Sequence, residues 1–129
     1  GDDFHFSIDI APDVDASSVR IPSMFIQIMT ENSIKHALRN KEGIKLLSIT
    51  VRHEHNNTVI RVTDNGPGFN PVTLRRKTGM NIISQTIAVI NLHNKDKIRF
   101  DIHNIYSSDG KQIKGCEAML KVPDGVKIE

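Results

Sequence analysis

Three groups of residues carry chemistry that an ordinary core would not. The first is Asp64, followed at once by Asn65-Gly66-Pro67-Gly68-Phe69. In the run from Thr58 to Asp64, period two puts Asp64 on the same side as Ile60 and Val62, so its carboxylate points under whatever layer covers them. A semi-buried carboxylate beside Gly66 and Gly68, which let backbone approach a ligand closely, suits the exocyclic amine of a nucleobase. The plainer alternative is an Asx turn closing a hairpin.

The second group lies on a segment that is otherwise apolar almost all round. Glu31, Asn32, Lys35 and His36 fall within about 140° of arc at helical spacing, and Gln27 and Arg39 extend that arc. Burying such groups unpaired would cost several kcal/mol, so they face a wet cleft, a ligand or internal partners. A solvent edge with a Glu31–Lys35 pair, worth a few tenths of a kcal/mol, is the bland reading. The third group is Thr78, Gly79 and Met80 at the start of a helix, behind Arg75, Arg76 and Lys77. Free backbone N–H groups with positive charge behind them make an anion site; a surface loop is the alternative. Together the three supply metal and phosphate ligands, base recognition and a phosphate cradle, which are the needs of a nucleotide site.

These residues need elements to hold them. Phe4 to Ile10 alternates without a fault and predicts a half-buried strand with Phe4, Phe6, Ile8 and Ile10 inward. Ser23 reads as the N-cap of a helix over Met24–Arg39. Leu46–His55 and Thr58–Asp64 form a hairpin around an Asn56-Asn57 turn. Gly79 to about Leu92 predicts a helix with Met80, Ile83, Ile87 and Ile90 as its inner stripe. A last hairpin pairs Ile98, Phe100 and Ile102 with Cys116, Ala118, Leu120 and Val122, ending at Pro123. About five strands, mostly in hairpins, and two helices on one face predict an α+β two-layer sandwich with a mixed, mostly antiparallel sheet.

The 129 residues suffice for one domain over 1–129. With 38% hydrophobic residues the chain is not disordered, and it has no 18-residue apolar run for a membrane span and no signal peptide. It opens on Gly1 without a methionine and reads as a piece of a longer protein. The single Cys116 excludes an internal disulfide and every multi-cysteine zinc site; His53 and His55 look like strand positions, and no structural metal is expected. Net charge is +2, with five acids and no base in residues 1–19, so the remainder suits an anionic ligand. Five Phe, one Tyr and no Trp give little support to a nucleic-acid partner.

With these motifs in place, the sequence resembles the ATP-binding domain of sensor histidine kinases, in the GHKL superfamily with gyrase and MutL, and most closely the LytS-like branch. Ile21-Pro22-Ser23-Met24, Gln27 and Glu31-Asn32-Ser33-Ile34-Lys35-His36 resemble that branch's N box, and Asp64-Asn65-Gly66-Pro67-Gly68-Phe69 matches its G1 box. The resemblance covers nearly the whole chain, to Val122. It implies the GHKL fold, ATP and Mg²⁺ as cofactors, and specific roles. Asn32 would ligate Mg²⁺, Lys35 and His36 would contact phosphate or ribose, and Asp64 would accept from the adenine amine. Gly66 and Gly68 would line the base pocket, Thr78, Gly79 and Met80 the phosphates, and Glu31 would act near the transferred phosphoryl group.

The G2 region departs from the pattern. Lys77 stands where the family has a glycine, and Ile82 stands at the asparagine position, with Asn81 one place earlier. The lid between the boxes is about eight residues and charged, and is expected to be mobile without ligand. Arg75, Arg76 and Lys77 would then replace lost backbone contacts by charge. Nothing resembles the phosphoacceptor-histidine helix, so the chain alone is not expected to autophosphorylate. The resemblance implies a homodimeric, inner-membrane sensor kinase with this domain cytoplasmic, a dimerisation and histidine-phosphotransfer domain in the same protein, and a response regulator as partner. An interaction module that keeps the fold and has lost nucleotide binding is the alternative, favoured by the altered G2 box. An anti-sigma serine kinase on the same fold is a weaker third.

Overall fold

The computed structural model describes residues 4–10, 20–38, 41–69 and 78–127, with nothing said of the side chains of residues 20–22, 36, 37 and 78. Five strands form one sheet: β1 (Phe4–Ile10), β2 (Lys45–Glu54), β3 (Asn57–Asp64), β4 (Arg99–Tyr106) and β5 (Ile113–Pro123), in the order β1-β2-β3-β5-β4. Only the β1–β2 pair is parallel. A parallel pair needs a crossover, and α1 (Arg20–Asn32) supplies it. The second helix, α2 (Thr78–Leu92), links β3 to β4. The sandwich is thus α+β and mixed, mostly antiparallel, as the pattern predicts. Among the described residues no helix is long and apolar enough to cross a membrane.

One sheet face makes the core. Leu47, Ile49 and Val51 sit opposite Asp64, Val62 and Ile60, and Val62 and Ile60 pair in turn with Ala118 and Leu120. Phe25 and Met29 of α1 and Met80, Ile83, Ile87 and Ile90 of α2 cover them, all within 8% exposure. Phe25 meets Phe100 edge-on, ring centroids 5.6 Å apart. The opposite face is open and polar, with cross-strand pairs such as Arg61–Glu117 and His103–Glu117.

Four expectations are corrected. The first helix begins at Arg20, so Ser23 lies inside it rather than at its cap, and Pro22 falls in the first turn where a missing N–H is harmless. Its end is not α: Ser33–Leu38 is a π-helix. Steps of four keep Phe25, Met29 and Ser33 inward, and the wider turn, a step of five, brings Leu38 back to 1% exposure; straight α winding would turn Leu38 away. The β2–β3 turn is His55-Asn56, one residue earlier than expected, with φ of 49° and 65°. Two positive φ values suit the type I′ twist of a two-residue hairpin. Finally, β1 is exposed along its whole length. Phe4, Phe6, Ile8 and Ile10 share the core face, yet stand 36–59% exposed because no described helix lies over that edge.

Candidate functional site

Asp64 ends β3 on the core face, 6% exposed, as alternation predicts. Both of its oxygens are held. Ser33 Oγ donates to Oδ2 at 2.9 Å, and the Gly66 N–H donates to Oδ1 at 2.9 Å. The Cys116 backbone N–H, across on β5, also reaches the carboxylate. Burial pushes the Asp64 carboxyl above the usual carboxylate range, and the three donors pull against that shift without cancelling it. Burial pushes the Cys116 thiol up to about 12, helped by the charges of Asp64 and Glu117, so this cysteine is no nucleophile.

The loop after Asp64 is pinned at both ends. Asn65 accepts from the Leu46 N–H at 2.8 Å and donates to the Ile44 carbonyl at 2.9 Å, which fastens it to the start of β2. At the other end, the Phe69 N–H donates to Asn104 Oδ1 at 3.0 Å, and Asn104 Nδ2 donates back to the Phe69 carbonyl at 3.2 Å. Gly68 has φ of +85°, and a Cβ there would lie 2.7 Å from both Asn104 Oδ1 and Ile113 Cγ2. Only glycine fits. Gly66 is buried beside Asp64, and Gly115 passes so close to the strand that a Cβ would lie 2.0 Å from the Asp64 carbonyl oxygen.

The helices close the third side. Gly79, in the first turn of α2, packs on Ile28 of α1, whose Cγ2 would be 2.8 Å from a Cβ at that glycine. The Asn32 amide lies farther off, 3.9–4.0 Å from the same point, in ordinary contact range, and its Nδ2 is buried with no hydrogen-bond partner among the described residues. The first turn of α2, whose N–H groups have no partner within the helix itself, therefore lies beside Asn32. Ser33, the next residue, touches Asp64, so the three groups singled out in the sequence meet at the end of α1. Glu31 and Lys35 are exposed, outside this inner cluster. The Met80 side chain is in the core at 5% exposure, which leaves its backbone N–H as the group available to a ligand. The His36 and Thr78 side chains, Arg39, Arg75, Arg76 and Lys77, and the lid over 70–77 lie outside the described residues.

Sequence reasoning missed Ser33 as a partner of Asp64, and Asn104 and Gly115 altogether. Asn104 carried a usable signal: it continues the inward series Ile98, Phe100, Ile102 with a polar residue, as Asp64 does on β3. Gly115 carried none, because its constraint is the Asp64 carbonyl, far away in sequence.

No family model matches the chain. Among curated proteins it is similar to sensor protein LytS of Staphylococcus haemolyticus, 31% identical over 81 residues, which are 63% of this chain and 14% of that protein. Sensor histidine kinase YpdA of Escherichia coli is 30% identical over 80 residues, 62% of this chain and 14% of that protein. Among solved structures, the histidine kinase domain of the blue-light activated histidine kinase of Erythrobacter litoralis matches with a TM-score of 0.70 at 11% identity, over 94% of this chain and 52% of that one. The catalytic domain of histidine kinase ThkA matches with a TM-score of 0.64 at 13% identity, over 97% and 82%. The chain is a LytS-like HATPase domain. The HATPase domain spans 14% of the length of each of these two curated relatives. Asp64 stands in the stretch that resembles the G1 box and Asn32 in the one that resembles the N box, while Ile82 is 45% exposed.

Proposed function

We propose that the HATPase domain binds ATP with Mg²⁺ and presents the γ-phosphoryl group to a histidine on a dimerisation and phosphotransfer domain of the same longer, homodimeric protein. Residues 1–129 act as one unit of an inner-membrane sensor, on its cytoplasmic side, and the phosphoryl group passes on to a response regulator. The observation that carries this reading is the buried Asp64 carboxylate, held by Ser33, Gly66 and Cys116 beside the helix end that bears Asn32. A carboxylate held only by donors is an acceptor, and the adenine amine is the donor it takes. Gly66 and Gly68 flank the base. The backbone N–H groups of Thr78, Gly79 and Met80 face the phosphates, with Lys35 and His36 adding charge. Glu31 acts near the transferred group.

The residues present fit Mg²⁺. An amide oxygen such as Asn32 Oδ1 is a hard ligand, Mg²⁺ takes few protein ligands beside phosphate and water, and Asn32 Nδ2, buried with no hydrogen-bond partner among the described residues, is left as a donor for a phosphate oxygen. When bound, the ion neutralises phosphate charge; the protein's part is to position the nucleotide and hold fixed donors at the γ-phosphoryl. Autophosphorylation of the isolated chain is not expected.

Ile82 exposed at the G2 asparagine position, and Lys77 at a glycine position, favour a second reading: an interaction module with weak or lost nucleotide binding. Calorimetric titration with ADP and a non-hydrolysable ATP analogue, with and without Mg²⁺, separates the two. Micromolar binding is expected, weakened roughly 10- to 100-fold by Asp64→Asn. Silence up to millimolar nucleotide in the folded chain would decide for the interaction module.

A further inference from the structure

We propose that β1 is the surface through which two copies of this chain pair, edge to edge and antiparallel, a role independent of nucleotide binding. The two edges of the sheet are built differently. At the β4 edge the register slips between Ile105 and Tyr106, and Arg99, Asp101 and His103 line the strand. Bulges and charges of that kind keep an edge from adding another strand. The β1 edge has no lysine, no proline and no bulge, and its register with β2 runs unbroken over all seven residues. Its one carboxylate, Asp9, is engaged by Arg52 of β2 through Oδ2. Phe4, Phe6, Ile8 and Ile10 stand 36–59% exposed along that open edge.

The order of residues names the occupant. Centred on Ser7, an antiparallel pair of β1 strands matches the whole strand: Phe4 meets Ile10, Phe6 meets Ile8, and His5 meets Asp9. Each of these pairings occurs twice about the two-fold axis, and Ser7 meets its own copy on it. Directly opposite residues share a face. Apolar therefore meets apolar on the helix side, and an imidazole N–H meets a carboxylate on the open side. A slip by one residue would set phenylalanine against aspartate. A second copy carries this complement by construction, which an unrelated extended segment does not. The two five-stranded sheets then join into one, with both helical layers on the same face and the two apolar stripes side by side between them.

Sedimentation equilibrium of the wild-type chain from about 5 μM to about 1 mM tests this. A reversible dimer is expected, dissociating at roughly 100 μM, because a seven-residue strand pair buries less than a standard interface. At the low end of that range the chain is single. Ile8→Lys sets a charge against Phe6, and His5→Asp sets carboxylate against carboxylate. Each change acts twice in the dimer and should weaken it at least about tenfold. His5→Lys keeps opposite charges paired and keeps the dimer. Both positions are exposed, so the variants are expected to unfold at low concentration as the wild type does, which separates loss of the dimer from loss of the fold. A chain that stays single up to about 1 mM overturns the proposal; if Ile8→Ala then costs as much stability as Ile49→Ala, residues of the same chain cover the strand. A dimer indifferent to Ile8→Lys and His5→Asp overturns it too and puts the contact on another face. Equal weakening by His5→Asp and His5→Lys overturns the register on which it rests.

Discussion

The two neighbouring strands at one side of the sheet follow the same alternation and end differently. Leu47, Ile49 and Val51 of β2 are 1–5% exposed. Their direct partners on β1, Phe6, Ile8 and Ile10, are 48–59% exposed on the same face. Period two therefore decides which way a side chain points, and nothing more; burial needs a second layer, and the described helices lie over β2, β3 and β5 but stop short of β1. The same rule read in reverse explains the site. Polar residues on that face, the buried Asp64 and the half-buried Asn104, lose much of their access to bulk water, and each is held by hydrogen bonds to a neighbouring element.

Truncating the same residue type on both strands gives the sharpest test of that contrast. Ile49→Ala, at 2% exposure in the packed core, is expected to lower the unfolding free energy by about 2–5 kcal/mol. Ile8→Ala, its partner at 56% exposure, should change it by less than about 1 kcal/mol. Denaturant unfolding of both variants checks this, and comparable losses would mean that β1 is covered in solution.

A smaller effect is expected where a polar group on the covered face is removed. Asn104→Ala strips the Phe69 N–H and carbonyl of their shared partner and should cost about 1–3 kcal/mol, with the loss read by unfolding and by faster amide exchange at Phe69. Slow exchange at Phe69 in that variant would show that Gly68, wedged against Ile113, fixes the loop without help.

Much of this was readable in the chain. Alternation and turn residues located all five strands, the 3.6-residue stripe located α2 to within a residue, and the out-of-pattern polar residues located Asp64 and the end of α1. What escaped depends on groups far apart in sequence. The π turn at Ser33–Leu38 follows from the need to bury both Ser33 and Leu38, five residues apart, which the local pattern does not announce. The exposure of β1 follows from where the helices end. Gly115 is a glycine because the Asp64 carbonyl passes it, and the Ser33–Asp64 bond spans 31 residues.

The last contrast is between the two members of that bond. Ser33 is neutral and costs little to bury; Asp64 is not, and its carboxyl is held above its ordinary value of 3.8 chiefly by burial. A carboxyl whose pKa is higher folded than unfolded binds more protons in the native state between the two values. Its contribution to stability is fully present below 3.8 and is lost as pH rises through the folded value, after which it is flat. Asp64→Asn removes the titration while keeping an oxygen for the Gly66 N–H. The stability of the wild-type chain relative to Asp64→Asn should therefore fall as pH rises from about 3.8 and then level off. Parallel unfolding curves of the two chains across that range would show instead that Ser33, Gly66 and Cys116 together balance the burial of the charge.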